Sequence, residues 1–136
     1  MALPRTHGTD WTVAAERVCA STAHLTIFLA AMEPLIPVGG LVVLALMRVT
    51  VGRSPGLVRD NITRAFNYQV FAWIVCAALY VSGTWALEVV GGVLGVLFAA
   101  AATMVVLGLL LLPIVAALHA SKAEEFEYPA SLRILR

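Results

Sequence analysis

The sequence predicts an all-α integral membrane fold, a four-helix bundle, and three observations carry that expectation. First, 61% of the 136 residues are hydrophobic and only 12% are charged, where a soluble domain carries about 25% charged residues. Second, the apolar residues gather into runs long enough for a bilayer, the clearest being 89–118, which contains no charge. Third, the basic residues sit in the gaps that would share one side of a membrane. A chain of this length holds one domain. It could not bury so much apolar surface within itself, whereas a bilayer can accept it.

Residues 1–11, with Pro4 and Gly8 and no periodicity, read as a flexible N-terminal tail, followed by a helical transmembrane domain over 12–120. Thr12 is a possible N-cap, and the first helix covers 14–32, about 28 Å at 1.5 Å per residue. This stretch has no convincing cleavage site and carries Glu33, Pro34 and Pro37 at its end, so it is expected to be a retained helix and not a signal peptide. The two prolines and the charge interrupt it, because neither continues a lipid-facing helix without cost. A short second apolar stretch follows at 36–49. The first two segments form either a hairpin of two spans or one broken span.

Pro55 suits the first turn of a third helix, where its missing N–H would be unpaired in any case. That helix is expected over 55–82. Its first half is amphipathic, with Arg59, Asp60, Asn61, Thr63, Arg64, Asn67 and Gln69, and should lie at the membrane interface or tuck under the bundle. A turn at 83–88 contains Trp85, a residue suited to the headgroup level. The fourth helix, 89–118, is longer than a bilayer core and must tilt, kink or project, with Pro113 as the expected kink. The C-terminal tail, 121–136, opens with charged residues and ends in Tyr128-Pro129 and a basic, apolar segment.

Charge placement decides the topology. With four spans, Arg5, Arg17, Arg48, Arg53, Arg59, Arg64, Lys122, Arg133 and Arg136 all fall on one side, and the opposite turns carry only Glu33 and Glu88. That is a positive-inside pattern with both termini cytoplasmic. Three spans would put Arg5 and Arg17 outside, so the charges favour four.

No catalytic constellation is present. The serines have no motif partners, and neither Gly39-Gly40 nor Gly91-Gly92 has a phosphate-binding context. Cys19 and Cys76 read as small buried hydrophobes, and no Cys/His cluster points to a metal. His24 is the one ionisable group expected midway along a span, which makes it a candidate by default; a neutral imidazole bonded to a neighbouring helix is the plainer reading. His24 and His119 lie at different depths by helical rise, so no haem or other cofactor is expected. The net charge of +1 is uninformative, and with no basic face and no aromatic-interleaved basic run, nucleic acid is not expected as a partner.

Two features point to contacts. Gly91, Gly95, Ala99 and Thr103 recur four apart, spacing that lets helix backbones approach closely in lipid. Arg59, Asn61, Arg64, Asn67 and Gln69 are expected to form a polar latch with the tail around Tyr128 and Pro129. Asn67 and Gln69, two apart, would face different neighbours. The residue before Pro129 is held extended, which turns the tail back toward the start of the third helix with one or more Glu–Arg contacts.

The segment Ser54-Pro55-Gly56-Leu57-Val58-Arg59-Asp60-Asn61, continuing to Arg64-Ala65-Phe66-Asn67-Tyr68-Gln69, resembles the S-P-F-V-x-x-H-x-x-x-A-L-N-F-Q signature of a group of small bacterial membrane proteins. Glu124, Phe126, Tyr128-Pro129 and Leu132-Arg133 resemble that group's G-E-x-Y-x-Y-P-x-x-x-R ending, and Glu16-Arg17 with His24-Leu25 its E-R-x-x-A-x-x-x-H-L opening. Here Gly56 is extra, Leu57 stands for Phe, Asn61 for His, Tyr68 for Phe and Ala123 for Gly. The group includes the magnetosome proteins MamF and MmsF and is related to the twenty-kilodalton component of the chloroplast inner-envelope import machinery (Tic). The resemblance implies a four-helix protein of the bacterial inner membrane with a supporting role and no known reaction. The expected function is a non-catalytic accessory or scaffold subunit of a membrane assembly, with the lipid bilayer and other membrane proteins, or further copies of itself, as partners. A translocation or channel component is the alternative, and an intramembrane enzyme the least favoured.

Overall fold

The computed structural model describes residues 13–32, 39–51, 56–132 and 134. Among these there is helix and no strand: α1 (Val13–Leu25), α2 (Ile27–Met32), α3 (Gly39–Val51), α4 (Gly56–Trp85) and α5 (Gly92–Ser121), with a π-helical turn at Ala86–Val90. The expected N-terminal tail, the Glu33–Pro37 turn, Arg53, Pro55 and the last arginines lie outside the described residues.

The first helix is not the continuous 14–32 rod that the apolar run predicts. It breaks at Thr26, whose hydroxyl donates to the Ala23 carbonyl at 2.8 Å and accepts from Gln69 Nε2 of α4 at 2.6 Å. The Leu29 N–H tightens onto the Thr26 carbonyl at 3.1 Å. A threonine hydroxyl can compete with helical bonding in this way, and here a neighbouring helix holds it. α3 crosses at the same point. A Cβ on Gly40 would lie 2.6 Å from the Thr26 carbonyl oxygen, so only glycine allows the approach.

α4 is one 30-residue helix. Its buried residues Val58, Ile62, Ala65, Tyr68 and Ala72 recur at helical spacing and define one inward face. The amphipathic half is therefore inside the bundle, where Val58, Ile62 and Ala65 pack with Ala23 of α1 and Leu44 of α3. Beyond Ala72 the outer half of α4 turns apolar side chains outward, with Ile74, Tyr80, Val81 and Trp85 exposed.

The turn expected at 83–88 comes later. Helix continues through Gly83, and the reversal falls at Gly91 and Gly92, which take positive φ values of 59° and 56° that glycine adopts without strain. Consequently α5 starts at Gly92 instead of 89, and it runs to Ser121 instead of 118. This corrects the small-residue stripe. Gly91 belongs to the reversal, not to a helix face. Gly95 is buried beneath Leu87 of the π-helical turn, where a Cβ would meet Leu87 Cδ2 at 3.1 Å. Ala99 is half-buried, and Thr103 is exposed, its hydroxyl bonded to its own helix at the Ala99 carbonyl. The small size of Gly95 thus serves the turn next to it.

α1 lies against both α5 and α4, α3 against α4 and α2. Two stretches are long and apolar enough to cross a membrane, Gly56–Val90 and Gly92–Ser121, and α3 is a shorter apolar helix. The described basic residues collect at one end of the bundle. Arg48 near the end of α3 bonds Thr63 in the first turns of α4. Arg64 meets the tail after α5, and Arg17 of α1 lines a groove with Ser121 of α5.

Candidate functional site

At this end α1, α4, α5 and the tail meet in a buried polar knot. Its centre is His24, 1% exposed. The ring lies between Asn61, whose Oδ1 is 2.8 Å from Nε2, and Tyr128, whose hydroxyl is 2.9 Å from Nδ1. The Asn61 amide donates to the Leu57 carbonyl at 2.8 Å, so its oxygen is left to accept. That makes His24 Nε2 the protonated nitrogen and Nδ1 the acceptor of the Tyr128 O–H, the complement of a neutral imidazole. The knot fixes one tautomer and uses both ring nitrogens.

Tyr128 arrives from the tail and lies flat on Tyr68 of α4, ring centroids 3.9 Å apart and planes 10° from parallel. Phe126 meets Tyr128 edge-on at 5.2 Å. Burial, and after it the neighbouring Tyr68, holds the Tyr128 phenol protonated well above the ordinary tyrosine range. Tyr68 donates to the carbonyl of Leu109 at 2.6 Å. Pro113, four residues on, has no N–H, so that carbonyl has no helical partner. Tyr68 fills the gap that the proline leaves in α5. The hydroxyl that distinguishes Tyr68 from the phenylalanine of the N-F-Q motif thus has a definite partner.

The tail is tied down along its length. Arg64 donates to the Phe126 carbonyl at 3.2 Å and pairs with Glu125 at 3.0 Å. Asn67 accepts from the Ile134 N–H at 3.1 Å. His119 pairs with Glu124 at 2.9 Å and sits against Phe126. The chain turns out of α5 at Ala123, with φ 60°, where the Ala123 and Glu124 N–H groups return to the Ala120 and His119 carbonyls.

Of the residues expected in the latch, Asn61, Arg64, Asn67 and Tyr128 come together on or beside the tail. Gln69 faces the opposite neighbour, Thr26 at the α1–α2 break, as its two-residue offset from Asn67 requires. Arg59 and Pro129 are exposed. Asp60, the i, i+4 neighbour of Arg64, is also exposed, and Arg64 turns to the tail. The sequence reading missed Thr26, Gly40 and the Tyr68–Leu109 bond. Only Pro113 announced a lone carbonyl in advance. The knot's polar groups largely satisfy one another; among the described residues, Gln69 Oε1 and Trp73 Nε1 are the buried side-chain atoms without a partner. Such an arrangement joins α1, α4 and the tail through their buried polar groups.

No curated protein and no solved structure matches the chain. One family does, described as the magnetosome magnetite crystal formation protein family, across residues 15–135. The match takes in the whole knot, from His24 through Asn61 to Tyr128. With that match and two helices able to cross a bilayer, the chain belongs to the MamF/MmsF family as a small helical membrane protein.

Proposed function

We propose that the protein is a non-catalytic accessory or scaffold subunit of a membrane assembly that takes part in magnetite crystal formation, with its tail clasp keeping the cytoplasmic end of the bundle in one shape. Family membership supports the setting. The observation that carries the scaffold role is the division of the surface. Polar groups are spent inside, on the knot and the tail, while α4 beyond Ala72 and most of α5 present large apolar side chains outward, Val93 at 76% and Met104 at 71% exposure among them. Such faces suit lipid and neighbouring membrane helices.

The proposed topology has four spans, with Met1 and Arg136 cytoplasmic and Glu88 outside. It rests on the gathering of basic residues at the end where the tail docks. In a background lacking Cys19 and Cys76, Glu88→Cys reacts with an impermeant thiol reagent in intact cells and Glu127→Cys does not. The scaffold role is tested by removing the chain from its native cell and imaging the crystals, alongside affinity purification of the tagged chain in mild detergent. Altered crystals with co-purifying membrane proteins are expected. Unaltered crystals together with a chain that purifies alone contradict the proposal.

A further inference from the structure

An open groove of about 460 Å³ runs between α1 and the end of α5, apart from the polar knot. Arg17, Val18, Ser21 and Leu25 line it from α1, and Ser121 closes α5 beside it, with Lys122 next in the chain. The polarity is graded. Arg17 lies at the end of the bundle where the basic residues gather, and Leu25 lies eight residues, about 12 Å, further in. Val18 and Leu25 are 66% and 43% exposed, so apolar surface extends inward from Arg17 that the described residues do not cover. Ser21 donates its hydrogen to the Arg17 carbonyl, Thr22 to the Val18 carbonyl and Ser121 to the Leu118 carbonyl. The three hydroxyls are thereby satisfied within their own helices, and Arg17 is the charged group of the lining, with Lys122 one residue beyond Ser121 in the chain.

We infer that this groove binds one anionic phospholipid, with its phosphate at Arg17 and Lys122 and an acyl chain along Val18 and Leu25. A basic mouth above an apolar trough matches the amphiphile end for end. Two carboxylates of the tail are engaged elsewhere, Glu124 with His119 and Glu125 with Arg64. The inference rests on the membrane setting and not on the scaffold role.

The test uses the full chain in micelles with phosphatidylglycerol and phosphatidylcholine at equal concentration, and native mass spectrometry reads the lipid retained. Phosphatidylglycerol should be retained about 25-fold over phosphatidylcholine, and Arg17→Gln and Lys122→Gln should each reduce that preference about fivefold. Arg59→Gln, which removes an exposed charge away from the groove, should leave it unchanged. Leu25→Trp, which fills the trough and keeps both charges, should lower retention of either lipid, so the site remains testable if a charge variant fails to fold. Equal retention of the two lipids overturns the inference, as does a loss for Arg59→Gln equal to that for Arg17→Gln. Displacement of the lipid by millimolar inorganic phosphate would make this a soluble-anion site and overturn it too.

Discussion

Tyr128 places its hydroxyl 2.9 Å from Nδ1 of His24, a residue 104 positions earlier in the chain. One hydrogen bond thereby joins the C-terminal tail to the first helix, and stacking on Tyr68 joins it to α4. Tyr128→Phe keeps the ring and leaves the imidazole nitrogen unpaired, which should cost about 1–3 kcal/mol. Tyr128→Ala also loses the buried ring and should cost about 3–5 kcal/mol. Glu125→Gln, at a carboxylate 73% exposed, should cost about 0–1 kcal/mol. Thermal unfolding of the three variants in one lipid or detergent gives the order, and a loss for Glu125→Gln as large as that for Tyr128→Ala would refute it.

The Tyr68–Leu109 bond predicts a coupling. Tyr68→Phe strands the Leu109 carbonyl and should cost about 1–3 kcal/mol. Pro113→Ala restores an N–H four residues beyond that carbonyl. In the Pro113→Ala background the Tyr68→Phe penalty should shrink to less than half. A double-mutant cycle measures this directly, and strictly additive losses would mean that the tyrosine does not stand in for the missing helical bond.

Gly40 and Gly39 are adjacent glycines in different surroundings. A Cβ on Gly40 would lie 2.6 Å from backbone at Thr26, whereas one on Gly39 meets nothing within 4 Å. Gly40→Ala should destabilise the protein by about 1–3 kcal/mol through overpacking. Gly39→Ala should stay within about 0.5 kcal/mol of wild type. Similar melting temperatures for the two variants would show that α3 does not approach Thr26 this closely.

The raised Tyr128 phenol gives a pH dependence of known sign. A tyrosine in the unfolded chain ionises near pH 10, and the buried one ionises higher. The folded state therefore binds the proton more tightly. Its contribution is complete below about pH 10 and is lost as pH rises through the folded value. Wild type should lose more stability than Tyr128→Phe between about pH 8 and about pH 11. A parallel decline in the two proteins would contradict the burial of this phenol.

The long elements were legible because lipid-length apolar runs and prolines leave a local record. The extents of α4 and α5 follow from composition to within a few residues, and the Gly91-Gly92 reversal was misplaced only because Gly83 continues a helix. The tail was legible as a chemical type: Glu125 and Arg64 could pair, and Tyr128-Pro129 could turn the chain. The break at Thr26 was not legible. A threonine within an apolar helix is ordinary, and what breaks the helix is the Gln69 amide arriving from α4 together with the close backbone of α3. For the same reason the partners of His24 were out of reach, since Asn61 and Tyr128 become neighbours only when three elements have packed.

The tail is packed into the bundle through Tyr128, and a nitroxide at the exposed Glu127 position reports on that most directly. With Glu127→Cys spin-labelled in a chain lacking Cys19 and Cys76 and reconstituted in lipid, the electron paramagnetic resonance line shape should show restricted motion at neutral pH. It should become mobile when Tyr128→Ala is added. Fast, isotropic motion of the label in the presence of the native Tyr128 would contradict the clasp and, with it, the rigid cytoplasmic end proposed here.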